Sequence, residues 1–244
     1  MSIKHVQIVK NLLASNDQIA DRNRERLLAA DVLAVNVIAG PGAGKTSLII
    51  KTLNALRGQA RVGVIEGDIA GRIDADRALA AGAAGAVQIN TGGGCHLEAH
   101  MIDPALDALD LTALDFIFIE NVGNLVCPTH WALGEHLKLC VLSAPEGHDK
   151  PVKYPEIFAA SDVIVLNKVD LIDLVDFERP QFYESVRALN PRAPIFEVSC
   201  RTGAGVAAWV DWLRQQRARV AGAPALSAES PAVGRKGDQR NESE

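Results

Sequence analysis

The stretch Val32-Leu33-Ala34-Val35-Asn36-Val37-Ile38-Ala39-Gly40-Pro41-Gly42-Ala43-Gly44-Lys45-Thr46-Ser47 decides the fold. It opens with a nearly continuous apolar run rich in β-branched residues, passes through a glycine cluster and leads into a helical pattern. Strand, loop, helix is the context that a phosphate-cradling loop requires. Glycines let successive backbone N–H groups turn inward onto phosphate oxygens. Lys45 is placed to reach the β and γ phosphates, and the Thr46 hydroxyl to ligate Mg²⁺. Gly40, Gly42, Ala43, Gly44, Lys45, Thr46 and Ser47 are therefore the candidate phosphate-binding residues. A plain glycine-rich turn would have no use for a Lys-Thr pair at a helix start. Ala39 stands where the simplest form of the pattern has glycine, a change an ordinary backbone conformation tolerates.

Working outward, similar apolar runs recur at Arg61 to Ile65, Ala86 to Ile89, Phe116 to Ile119, Leu137 to Leu142, Val163 to Leu166 and Ile195 to Val198. Continuous rather than alternating runs mean that both sheet faces are covered, so the expected fold is α/β with a mostly parallel sheet flanked by helices. Before it, residues 1–30 form an N-terminal segment. Ile8 to Ala30 is apolar at helical spacing and interrupted by Ser15-Asn16-Asp17, a natural cap, which predicts two short amphipathic helices. The nucleotide-binding domain then spans 31–220. Residues 221–244 turn to Ala, Pro, Ser, Gly and charges without periodicity, the pattern of a disordered tail.

With 244 residues and a formal net charge of -5, the chain lacks the basic footprint of a nucleic-acid binder. No apolar run approaches the roughly 20 residues of a membrane span. Met1 to Asn11 has no signal-peptide core, which points to the cytoplasm. The four cysteines, Cys95, Cys127, Cys140 and Cys200, then read as reduced thiols or metal ligands rather than a disulfide framework.

Which base is bound follows from Asn167-Lys168-Val169-Asp170 at the end of an apolar run. A carboxylate there accepts from the guanine N1–H and 2-amino group, a donor pair that adenine lacks, so Asp170 selects GTP and GDP over the adenine nucleotides. Ser199-Cys200 belongs to a later loop that resembles a second base contact. Two further strand ends, Glu66-Gly67-Asp68 and Glu120-Asn121-Val122-Gly123, are candidate switches. Glu120 is assigned to Mg²⁺, Gly123 to the γ phosphate, and Asp68 to Mg²⁺ or the attacking water. Lys45, Asp68 and Glu120 are the candidate catalytic residues. Asp74 and Asp76 fit a solvated helix turn equally well. Asn124 stands where Ras-like switches carry a catalytic Gln, which predicts slow intrinsic hydrolysis.

Gly92-Gly93-Gly94-Cys95-His96 and the later Cys127-Pro128 form a second constellation, suited to Zn²⁺ or Ni²⁺. Three ligands are one short of a closed tetrahedral site, leaving a water, His100 or a second subunit to complete it. Cys140, inside a strand, reads as structural.

Taken jointly, Gly40 to Ser47, Glu66 to Asp68, Gly92 to His96, Glu120 to Pro128 and Asn167 to Asp170 resemble the HypB family of hydrogenase nickel-incorporation GTPases, up to about Arg219. The resemblance implies a SIMIBI-class P-loop fold and a GTP-dependent homodimer, with an interfacial metal site on Cys95, His96 and Cys127. It also implies a HypA-like nickel chaperone as partner and the [NiFe]-hydrogenase large subunit as recipient. Some members carry an N-terminal cysteine motif or a histidine-rich stretch, and this chain has neither. The UreG family of urease-maturation GTPases is the nearest rival, but it places Cys-Pro-His together, whereas Thr129 follows Pro128 here. The GTPase chaperones of cobalamin-dependent mutases give no reason for the Cys-His pair. A small-substrate P-loop kinase and a zinc-stabilised GTP-binding scaffold are the readings from other classes.

Overall fold

A computed structural model describes residues 8–69, 71 and 73–222, with the side chains of 8–11 outside that description. The chain runs α1 (Ile8–Ala29), β1 (Leu33–Ala39), α2 (Lys45–Leu56), β2 (Val62–Asp68), α3 (Ile73–Ala80), β3 (Gly85–Asn90), α4 (Ala99–Asp107) and β4 (Phe116–Glu120). It continues through β5 (Leu137–Ser143), α5 (Lys150–Lys153), α6 (Pro155–Ala160), β6 (Val163–Asn167), α7 (Arg179–Leu189), β7 (Ile195–Val198) and α8 (Val206–Ala221). All seven strands join one sheet in the order β3-β2-β4-β1-β5-β6-β7, and every pairing is parallel.

Side-chain alternation explains why the apolar runs are continuous. Leu33, Val35 and Val37 of β1 face the layer of α2 and α8, where Leu48, Ile49, Trp209 and Leu213 are buried. Ala34 and Ile38 point the other way, Ala34 into a core with Leu27, Ile102 and Leu106, and Ile38 into one with Phe158, Ile164 and Phe182. Asn36 shares that second face and is fully buried, so a polar residue sits at the seam between these two cores. Cys140 is fully buried in β5, as the sequence predicts.

One expectation fails. The N-terminal segment is a single helix, α1, rather than two short ones. Asn16 does not cap a helix there. It is 5% exposed, its amide donates to the Ala132 carbonyl (2.8 Å), and its oxygen accepts from the Ala99 N–H (2.8 Å). Two long-range bonds outweigh the local cap, so the helix continues through Ser15-Asn16-Asp17. The tail expected at 221–244 lies outside the described residues from 223 onward. Among the described residues, no helix is long and apolar enough to cross a membrane.

Because the strands are parallel, their C-terminal ends gather the loops after β1, β2, β4, β6 and β7 on one rim, where ligands of such sheets bind.

Candidate functional site

The phosphate loop leaves β1 and enters α2 through Gly44, whose φ of 101° lies in the left-handed region that glycine adopts without strain. Space also demands glycine, since a Cβ at this position would meet Asn167 Nδ2 at 2.4 Å. Asn167 itself donates to the Ala43 carbonyl (3.0 Å), and Lys168 Nζ donates to the Gly42 carbonyl (2.7 Å), so the base-side loop braces the phosphate loop. Lys168 holds φ 59°, a cost that the surrounding bonds offset.

At the head of α2, Lys45 is nearly buried and its Nζ lies 4.0 Å from Glu120 Oε1, the same oxygen to which the Thr46 hydroxyl donates at 2.9 Å. β2 and β4 pair Glu66 directly with Glu120. Both carboxyl groups are buried and are held above the ordinary carboxylate range. For Glu66 burial is the main cause, with the charges of Glu120 and Asp74 adding to it. For Glu120 burial again leads, opposed by Lys45 and by the Thr46 hydroxyl. Glu66 Oε1 and Glu120 Oε2 are buried with no hydrogen-bond partner. Orphaned carboxylate oxygens beside a hydroxyl are what a hard cation such as Mg²⁺ would satisfy, so these residues fit it.

The pairing of Glu66 with Glu120 was legible only through strand register. Asp68, two residues on, shares Glu66's face and ends β2 opposite Asn90; it is exposed and its Oδ1 accepts from the Ile69 N–H (2.6 Å).

Gly123 packs directly on the phosphate loop, where a Cβ would stand 3.2 Å from Pro41 Cα. The chain then turns through Asn124 into a 3₁₀ turn, Cys127–His130. Asn124 donates to the Cys95 carbonyl (3.4 Å) and accepts from the Val126 N–H (2.9 Å).

At the base-facing end, Asn167, Lys168, Asp170, Cys200, Gly44 and Ser47 line a cleft of about 370 Å³. Asp170 Oδ1 accepts from the Ser199 hydroxyl (2.5 Å) and Oδ2 from Arg201 Nε (2.7 Å). Those two bonds, Ser199 first, hold its carboxyl below the ordinary value. Asn167 Oδ1 accepts from the Cys200 N–H (3.3 Å), and burial pushes the Cys200 thiol up to about 11, leaving it protonated near neutrality.

Cys95, His96 and Cys127 come together with all ligand atoms within 4.8 Å of one another. Cys95 Sγ lies 3.6 Å from His96 Nδ1. The Cys95 thiol is held above its usual value first by its hydrogen bond with the Cys127 sulfur and then by burial, and a divalent ion bound there would displace its proton. Trp131 stacks on the His96 ring (4.7 Å between centroids). Burial lowers the His96 pKa against the opposing pull of Glu98, which favours the neutral imidazole that a metal needs. Glu98 lies between His96 Nε2 (3.5 Å) and His100 Nδ1 (3.3 Å). His100 is therefore on the far side of Glu98 and is not one of the three clustered residues. Trp131 had no motif to announce it in the sequence.

Residues 13–197 match the CobW/HypB/UreG nucleotide-binding domain. The chain is similar to the hydrogenase maturation factor HypB of Rhizobium leguminosarum bv. viciae, at 45% identity over 88% of this chain and 71% of the relative. Among solved structures, HypB from Archaeoglobus fulgidus superimposes with a TM-score of 0.78 at 38% identity, over 84% of this chain and 99% of that one. HypB from Helicobacter pylori in complex with nickel superimposes with a TM-score of 0.80 at 37% identity, over 84% and 96% of the two chains.

Proposed function

The chain belongs to the CobW/HypB/UreG family and within it to the HypB hydrogenase maturation factors, and on that premise we propose that it is a GTP-hydrolysing switch that delivers nickel. The observation that carries this reading is that one segment serves both sites. Gly123 lies against the phosphate loop, and Cys127, a few residues later, lies in the metal cluster.

In this reading Asp170 and Asn167 hold guanine, the loop from Gly40 to Ser47 holds the phosphates, and Lys45 offsets charge building on the β and γ phosphates. Thr46, Glu120 and Glu66 are the residues that would hold Mg²⁺, whose positive charge would offset the negative charge of the phosphates. Asp68, at the open mouth, is the group left to orient the attacking water. Intrinsic hydrolysis is slow because Asn124, where a water-orienting Gln would serve, directs both ends of its amide to the metal loop and its own turn.

Nickel is the cargo, held by Cys95, His96 and Cys127, with Zn²⁺ able to compete for the same thiolate and imidazole set. A second copy of the chain supplies the remaining coordination across a GTP-dependent homodimer. Ile69, Ile73 and Val126, exposed apolar residues on the two switch segments, support an interface there. A HypA-like chaperone as donor, the hydrogenase large subunit as recipient and a cytoplasmic setting complete the proposal. So does the division into a helical segment 1–30, a GTPase domain 31–220 and a tail 221–244. The urease-type alternative lacks support, because the histidine of the cluster follows Cys95 rather than Pro128.

The test is the metal content and oligomeric state of the purified protein with GDP and with a nonhydrolysable GTP analogue, beside Cys127→Ala. We expect bound metal and dimer content to change with nucleotide in the native chain, and metal to be lost from the variant. Identical metal and mass in both nucleotide states would leave only a GTP-binding scaffold.

A further inference from the structure

The two loops that carry the metal cluster are fastened from behind, by buried side-chain amides. Asn16 and Asn23 both project from α1. Asn16 joins the Ala99 N–H to the Ala132 carbonyl. Asn23 donates to the Ala99 carbonyl (3.0 Å) and the Leu133 carbonyl (3.1 Å). One helix thus clamps together the exits of both loops, just past His96 on one side and past the Cys127 turn on the other.

Asn121 does something different. It is 1% exposed, at the end of β4 between Glu120 and the sensor segment. Its Oδ1 accepts from the Val122 N–H (3.0 Å) and also from the Leu97 N–H (3.1 Å). Its Nδ2 donates to Asn36 Oδ1 (3.1 Å), and Asn36 in turn donates to Glu135 Oε1 (3.1 Å). Val122 immediately precedes Gly123, and Leu97 immediately follows His96. A single oxygen is therefore shared by the phosphate-facing segment and the metal loop. Both of its lone pairs are engaged in a buried setting, where an unpaired N–H is costly. Movement of Val122 and Gly123 must either carry Leu97 along or strand its N–H. The direct link from Asn124 to the Cys95 carbonyl is longer and exposed.

We infer that Asn121 is the positioning residue that transmits nucleotide state to the metal cluster, while Asn16 and Asn23 hold the far ends of both loops in place. This rests on the reading that nucleotide alters the metal site. It adds which atom carries the change.

The experiment measures Ni²⁺ affinity with GDP and with a nonhydrolysable GTP analogue for the native chain, Asn121→Ala and Asn23→Ala. The native ratio should fall in the range of about 5- to 150-fold usual for coupled sites. Asn121→Ala should bring the ratio to about one while keeping GDP affinity in the absence of Ni²⁺, and Asn23→Ala should lower the melting temperature but keep the ratio. A native ratio of one would sink the switch reading together with this inference. A native ratio that survives in Asn121→Ala would sink this inference alone, as would an equal loss of the ratio in Asn23→Ala. Should Asn121→Ala fail to fold, amide hydrogen exchange on the native chain decides. Protection at the Leu97 N–H should differ between nucleotide states while that at Ala99 stays constant, and equal protection at Leu97 would overturn the inference.

Discussion

The base-facing end of the sheet and the metal-bearing end are held together on opposite plans. At the base-facing end the working atoms are themselves tied: Asp170 accepts from Ser199 and Arg201, and the Asn167 amide is bonded at both its oxygen and its nitrogen. At the metal end the two sulfurs and the imidazole meet one another, while the fastening is done behind them by amides on α1 and at the end of β4. A site that must present one fixed donor-acceptor pattern gains from bonds through its functional atoms, because preorganisation lowers what binding must order. A site whose geometry has to change is better secured at its edges.

This contrast can be broken from either side. The largest effect is expected for Asp170→Asn, which leaves one acceptor oxygen and sets an amide donor against one of the two guanine donors. GTP and GDP affinity should fall about 10²- to 10³-fold in a fluorescent-nucleotide titration, with Ni²⁺ binding in the absence of nucleotide unchanged. Next, Cys127→Ala should weaken Ni²⁺ about 100-fold or more, since it removes one of only three protein ligands. Isothermal titration should show GDP affinity preserved in that variant. If either change spread to the other site without nucleotide or metal present, the two ends would not be separately built.

The rear fastening gives a smaller effect, seen in stability. Asn23→Ala leaves the Ala99 and Leu133 carbonyls without their buried donor, and should cost about 1–3 kcal/mol in a denaturant melt. Smaller still is the contribution of His136, whose Nδ1 accepts from the Ala34 N–H (3.1 Å). Burial, helped by Arg24, lowers its pKa to about 4 from the ordinary 6.5. The folded state then binds fewer protons than the unfolded one between these values. Its contribution is complete above pH 6.5 and is lost as the pH falls toward 4. A shift of this size is worth about 3 kcal/mol for a fully buried group and, screened by solvent at this half-buried site, about 1 kcal/mol, and His136→Asn should flatten the acid limb of the stability curve by that amount.

The sequence already carried the contrast in part. Every strand could be read from its apolar run, because a doubly covered parallel sheet leaves no polar face to confuse the pattern. The phosphate loop and the Asn167 to Asp170 run were legible because their chemistry demands particular residues in consecutive order. The cluster of Cys95, His96 and Cys127 followed from unusual neighbours. What stayed hidden were residues whose roles depend on register or on distant partners. Glu66 is beside Glu120 only because β2 pairs with β4 in that register. Asn16 looks like a helix cap until its partners at Ala99 and Ala132 are known. Asn121 and Asn36 sit among apolar neighbours, where nothing local separates a tolerated amide from one that ties two loops together.

The most direct test of the whole account is the dissociation constant for Ni²⁺ on the native chain, measured once saturated with GDP and once with a nonhydrolysable GTP analogue, with the reciprocal nucleotide titrations at saturating Ni²⁺. The two constants should differ by at least about fivefold, and by the same factor in the reciprocal direction. Equal constants in the two nucleotide states would contradict it.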